Sequence, residues 1–326
     1  MARAAMRSKW FGLAKKGLHL GIVLLLVSTL TFLMVDLLPG DAAYHLAGMD
    51  ASPASVAALR SELGLDRPLV VRYGEWLARV CRGDLGLSVR TREPVLASIA
   101  ARFPVTVALM VLAQAMALLL AVPVGVVSAH RRESALDKVF SATAFATISM
   151  PVYVMALVLI LVFSLRLDWF PATGYTPFAE NPLMTIRSLL LPAASIALVE
   201  WVPLMRVLRS DMIAVLQEDY ILMARAKGLP PHRILFRHAL KPASLTLITL
   251  FGLQVGHLMG GAVIVETLFA LPGVGRLLVG AVYAQDHNLV QGCLLLIAAA
   301  YVAVNFVVDA LYAVLDPRLR AGAVSR

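Results

Sequence analysis

VTVALMVLAQAMALLLAVPVGVVSA, residues Val105 to Ala129, contains no Asp, Glu, Lys or Arg. It is longer than the ~20 helical residues that cross the hydrocarbon core of a bilayer. Five other apolar stretches are also long enough to cross: Leu18 to Leu38, Val139 to Leu165, Ser188 to Leu208, Leu245 to Phe269 and Leu289 to Leu315. Around them the 326-residue chain is 60% hydrophobic and 15% charged, with a mean hydropathy of +0.81. That is too apolar for a surface facing water. The reading is an all-α polytopic membrane protein with six transmembrane helices. Pro123, Pro151, Pro192 and Pro203 fall inside spans, where neighbouring helices can re-satisfy the freed carbonyls, so kinks are expected.

The cations fix an orientation. With an even number of spans both termini share a side. That side holds Arg3, Arg7, Lys9, Lys15 and Lys16, then Arg131, Arg132, Lys138, Arg206 and Arg209. It also holds Arg225, Lys227, Arg233, Arg237, Lys241, Arg318, Arg320 and Arg326, whereas the short loops opposite offer only Arg166, Arg187 and Arg276. Segments 1–17 and 316–326 are therefore expected in the cytoplasm. The formal charge of +9 is explained by topology, not by nucleic acid, because the cations cluster between apolar runs. The first run, 18–38, is too long for a signal-peptide core of ~7 to 15 residues and is read as an uncleaved anchor. Cys81 and Cys293 are placed apart, one external and one in the last span, so no disulfide or cysteine metal site is expected.

Two segments outside the spans have structure of their own. In the external insertion, 39–104, Ser52 suits an N-cap, Pro53 a first helical position and Gly64 a stop, which predicts a helix from Pro53 to Leu63. A second helix is predicted from Pro68 to Cys81, with Leu69, Val70, Tyr73, Trp76, Leu77 and Val80 as its apolar stripe. The five remaining spans, 105–315, enclose a cytoplasmic loop, 210–242. There Glu218 to Lys227 has helix-forming composition, Gly228 suits a left-handed stop and Pro230-Pro231 bars continuation. A second short basic helix, His232 to Leu240, is predicted next. Physics alone leaves it lying on anionic lipid or docked in a partner's groove.

Glu-Asp-Tyr-Ile-Leu-Met-Ala-Arg-Ala-Lys-Gly-Leu, 218–229, resembles the coupling loop of the dipeptide, oligopeptide and nickel branch of ABC importer permeases. Leu38-Pro39-Gly40-Asp41, Leu63-Gly64-Leu65-Asp66-Arg67-Pro68 and Gly83-Asp84-Leu85-Gly86 resemble other landmarks of that family. So do Glu266-Thr267-Leu268-Phe269-Ala270-Leu271-Pro272-Gly273-Val274-Gly275-Arg276 and Leu315-Asp316-Pro317-Arg318. The likeness covers nearly the whole chain in family order. It implies a type I importer permease fold and partners: a homologous second permease, two ABC ATPase subunits or domains, and an external solute-binding protein. No cofactor is implied on this chain, ATP and Mg being held by the ATPases. Glu218, Asp219, Tyr220, Ala224, Arg225, Lys227 and Gly228 become the expected ATPase-coupling residues. The wider pattern, Glu-Ala-Ala then three residues and Gly, is kept at Ala224 and Gly228, while Leu222 and Met223 replace its first two members. In the second short helix, His238-Ala239-Leu240-Lys241 stands where the pattern has Ile-x-Leu-Pro.

No Gly-x-x-x-x-Gly-Lys-Ser/Thr loop, HExxH or Cys-x-x-Cys occurs, so a non-catalytic subunit is expected. Within the spans, Gly252, Gly256 and Gly260 recur every fourth residue and suit close helix packing. Gln254 and His257 are candidates for the translocation path. Glu200, an interior carboxylate, is the first such candidate, because a charge there needs water or a partner. Glu266 and Asp309 lie nearer the interfaces and are expected in structural or subunit contacts. Short peptides are the expected solute, with nickel or a metal chelate, glutathione or another small solute as alternatives. An ion-gradient-driven secondary transporter or a membrane scaffold would fit the hydropathy alone.

Overall fold

The computed structural model describes residues 17, 21–34, 52–62, 64 and 66–315; the side chains of residues 59, 62 and 309–315 are not described. Among the described residues every regular element is helical, apart from one isolated bridge between Leu87 and Pro94. Four helices are long and apolar enough to cross a membrane: Val95–His130 (α4), Pro182–Val215 (α7), Pro231–Leu268 (α9) and His287–Leu315 (α11), the last over His287–Val308. Ala135–Ile148 (α5) and Val152–Arg166 (α6) make a fifth if the bent pair is one span. Of the first expected span, Gly21–Met34 (α1) is described. It is helical and apolar but by itself too short to cross. The landmarks 38–41 and 316–318 and the side chain of Asp309 lie outside the described residues.

Prolines act differently in different spans. Pro192 and Pro203 sit inside the continuous α7, and Pro123 inside α4. At Pro151 the expected kink is a break: α5 and α6 diverge by 103° across Ser149-Met150-Pro151. Pro151 caps α6 from an extended conformation, ψ 146°, which an α-helix cannot pass through.

The second short helix expected at His232 to Leu240 is the start of α9. Pro242 lies one residue past Lys241 and would break an ordinary helix by removing a donor and clashing with the preceding turn. The chain widens at Ile234–Ala239 into a π-type turn, where the Leu240 N–H reaches the Leu235 carbonyl five residues back. Such a widened turn accommodates what a regular helix excludes, so loop and span form one helical rod.

The chain groups into two units. One holds the described residues up to Pro104 together with Gly273–Val302. In it lie the helices Pro53–Glu62 (α2) and Leu69–Val80 (α3). Ser52 caps α2, its Oγ accepting from the Ser55 N–H at 3.2 Å. Tyr73 and Trp76 of the predicted α3 stripe pack with Phe32 of α1, ring centroids 5.4 and 5.7 Å from it. The Tyr73 hydroxyl meets Ser28 Oγ and Thr29 Oγ1 at 2.9 Å each. Val70, from the same stripe, stays exposed. Val274–Tyr283 (α10) and the start of α11 build a core with Val95 and Ile99. Buried Ser88 donates to Asp286 at 2.5 Å.

The second unit, Val105–Pro272 with the chain from Ala303, holds a core of Ala117, Ala121, Trp201, Met205, Leu208 and Met212. This core continues into the loop through Ile221, Ala224, Ile234 and Leu235.

Candidate functional site

Residues Asp219–Ala226 form a helix of eight residues, α8. Glu218 occupies its N-cap in an extended conformation, φ −70° and ψ 146°, and Asp219 lies in the first turn, where a carboxylate complements the helix dipole. At the other end the Gly228 N–H bonds the Arg225 carbonyl at 2.9 Å and the Leu229 N–H bonds the Ala224 carbonyl at 3.2 Å. With Gly228 at φ 74° these two bonds are a Schellman stop, which requires left-handed backbone at the glycine. Leu229 returns to the apolar cluster that holds Ala224, closing the motif with its usual hydrophobic contact.

The helix has two faces. Ile221 is fully buried and Ala224 nearly so, and both join the core of the second unit. Tyr220, Leu222 and Met223 are 46%, 51% and 60% exposed, alongside exposed Arg225 and Lys227. Ala224, expected among the ATPase-coupling residues, is buried and seats the helix on its own chain. The two departures from the wider pattern, Leu222 and Met223, enlarge the outward apolar face. Partial burial, then the charge of Glu218, push the Tyr220 phenol above its ordinary pKa.

A second constellation, which the sequence reading did not single out, joins α4, α5 and α7. Arg209 of α7 grips Asp137 of α5 in a fork: Nε to Oδ1 at 2.9 Å and Nη2 to Oδ2 at 2.7 Å. Arg209 Nε also donates to Ser128 Oγ of α4 at 3.0 Å. Ser128 in turn donates to Asp137, and the Glu133 N–H reaches Asp137 Oδ2 at 2.9 Å. Asp137 is 4% exposed and Ser128 fully buried. A desolvated, bidentate ion pair with every carboxylate oxygen bonded ties three helices at one point. The sequence carries little signal for it: Asp137 follows Arg132 by five residues and Glu133 by four, one of two acids in a basic loop.

The candidate path residues meet at α7 and α9. Gln254 is buried and donates from Nε2 to the backbone carbonyl of Glu200 at 3.1 Å, while its Oε1 has no partner. His257, one helical turn beyond Gln254, is exposed, and the Glu200 side chain is half-buried. Two other buried groups among the described residues lack hydrogen-bond partners, the side-chain amide of Gln114 on α4 and the Nε1 of Trp201 on α7. Unpaired polar groups at membrane depth are costly unless water or a ligand reaches them.

The glycine ridge is not uniform. Gly252 is buried, and the Val308 side chain of α11 fills the space its Cβ would need. Gly256 is buried, and Gly260 is exposed with open space beside it. Glu266 is fully buried and accepts from Thr106 Oγ1 at 2.6 Å.

Comparison with known proteins comes to the same architecture. The family described as binding-protein-dependent transport system inner membrane component matches residues 121–321, and its N-terminal companion family matches 12–110. A putative peptide transport system permease protein of Brucella abortus (strain 2308) is 44% identical over 298 residues, spanning 91% of this chain and 95% of its own. The glutathione transport system permease protein of Pectobacterium atrosepticum is 37% identical over 303 residues, 92% of this chain and 96% of its own. An inward-facing structure of the MetNI methionine ABC transporter superposes with a TM-score of 0.54 at 16% identity, over 67% of this chain and 96% of that one.

Proposed function

The chain belongs to the binding-protein-dependent transport system inner membrane component family, and from that premise we propose how this subunit works and what it carries. It is a non-catalytic permease subunit of an ABC importer with the type I fold. In our reading it pairs with a homologous permease, receives solute from an external binding protein, and is driven by two ATPase subunits that hold the ATP and Mg. Both termini face the cytoplasm, 39–104 is external, and 105–315 carries the path with its coupling loop at 210–242.

The solute we propose is a short peptide. Relatives at 37 to 44% identity are named for peptide transport, and another for glutathione, itself a small peptide. The carboxylate of Glu200 with His257 and Gln254 suits a solute bearing both an ammonium and carbonyl groups.

The observation that carries the mechanism is the two-faced α8. Ile221 and Ala224 fasten it to the core, and Tyr220, Leu222 and Met223 are left for a partner's groove. Closure of the ATPases would push α8, and the core that continues from it into α7 and α9 would re-aim those walls. The test is disulfide trapping in the assembled importer with cysteines at Met223 and in the ATPase, after Cys81 and Cys293 are replaced. Trapping that responds to ATP, together with ATP-dependent uptake of a labelled dipeptide, is expected. ATP-dependent uptake without trapping at any exposed position of α8 refutes the coupling assignment.

A further inference from the structure

Between α5 and α7 lies an open cavity of about 320 Å³ that the transport reading does not use. Ser141 and Phe145 of α5 line one side, and Met205, Arg206, Arg209 and Ser210 of α7 the other. Its chemistry is split. Phe145 and Met205 form an apolar wall, and the apolar side continues outward to Ile148, one helical turn past Phe145 and 41% exposed. Two guanidiniums and two hydroxyls form the rest.

The two arginines are not equivalent. Arg209 is already neutralised by Asp137. Arg206 is exposed, and its charge lies over the Phe145 ring, 5.4 Å from the centroid, with no carboxylate partner among the described residues. The cavity therefore offers one uncompensated cation, held in place by an aromatic face, beside donor groups and an apolar edge. We propose that it binds the phosphate headgroup of an anionic phospholipid from the cytoplasmic leaflet. The phosphate pairs with Arg206 and the Ser141 and Ser210 hydroxyls, and the acyl chain runs along Phe145 and Ile148. A basic pocket between helices at the cytoplasmic end of a span is the chemistry such headgroups recognise. A soluble anion would gain nothing from the apolar edge, and a protein segment would need an acidic residue to match Arg206.

This site rests on the proposed orientation, which places Ser210 on the cytoplasmic side. The assay is native mass spectrometry of the assembled importer in nanodiscs containing phosphatidylglycerol or phosphatidylcholine alone, counting retained phospholipid. Arg206→Gln is expected to lower phosphatidylglycerol retention about fivefold, the worth of one cation at a lipid surface. Lys138→Gln removes a charge from the same end of α5 without lining the cavity, and should lower retention far less than Arg206→Gln. Phe145→Ala should lower retention while keeping the charge. Equal losses for Arg206→Gln and Lys138→Gln would reduce the effect to general surface charge and overturn the site. Displacement by inorganic phosphate alone would make the ligand a free anion. A disulfide from Ser141→Cys to the second permease would show that protein fills the cavity. Either result overturns the lipid assignment. Labelling of Ser210→Cys by an impermeant thiol reagent tests the orientation separately: reaction from outside refutes the topology whatever the lipid count.

Discussion

Gly228→Val is the substitution that tests the coupling helix most directly, because the structure isolates its cost to the backbone. Gly228 has φ 74° and no atom within 4 Å of where a Cβ would stand, so added bulk meets nothing. Forcing an L-residue into left-handed backbone costs roughly 1–2 kcal/mol, and a β-branched one sits at the upper end. The stabilisation at risk is of the same size. Besides its Schellman stop, α8 is fastened by Ile221 and Ala224, and burying an isoleucine side chain contributes about 1.5–3 kcal/mol. A loss of 1–2 kcal/mol shifts the ratio of seated to unseated helix roughly 5- to 30-fold. The expected series is Asn mildest, Ala intermediate and Val worst, since Asn tolerates left-handed backbone. Membrane insertion should be unchanged, while co-purification with the ATPases falls and ATP hydrolysis in proteoliposomes separates from peptide uptake. Wild-type values for Gly228→Val in all three measurements would refute the argument. So would an order that follows side-chain volume and leaves Asn worse than Ala.

Removing Asp137 with Ala leaves Arg209 partly buried and unpaired and should cost about 3–5 kcal/mol. Asp137→Ala with Arg209→Met should recover most of it, read as the thermal unfolding of the purified complex; no recovery would mean that the pair contributes geometry and not charge balance. Gly252→Ala should lower assembled complex, because its Cβ needs the space of Val308, and Val308→Ala should restore it; wild-type assembly in the single variant refutes this packing. A Glu200→Cys variant, with Cys81 and Cys293 replaced, should react with a small polar thiol reagent in at least one transport state, and protection in all of them would remove Glu200 from the path.

Span existence was legible in the sequence because it depends only on composition within ~20 residues, whereas span geometry depends on what lies beyond. Pro151 and Pro192 each stand in an apolar run, and nothing local separates them. Pro192 nevertheless stays in a continuous helix and Pro151 marks a 103° turn. The stop at Gly228 was legible because a Schellman motif is local and glycine is its strongest marker. The same pair of bonds ends α9, where the Leu271 N–H reaches the Glu266 carbonyl at 2.9 Å, yet the left-handed residue there is Ala270, φ 55°, and no glycine signals it. The Arg209 fork was invisible for another reason: its partners lie 72 and 81 residues away. One charge among many on a basic side has no local feature that says it is paired. A distant pair can still have a local consequence. Arg209 lies six residues before Val215, the last residue of α7, and Met212 between them belongs to the cluster that holds Ile221. The fork therefore fixes the end of α7 from which α8 departs. If α8 receives a push, the fork makes α4, α5 and α7 move as one body, and severing it should uncouple hydrolysis from uptake even where the complex stays assembled.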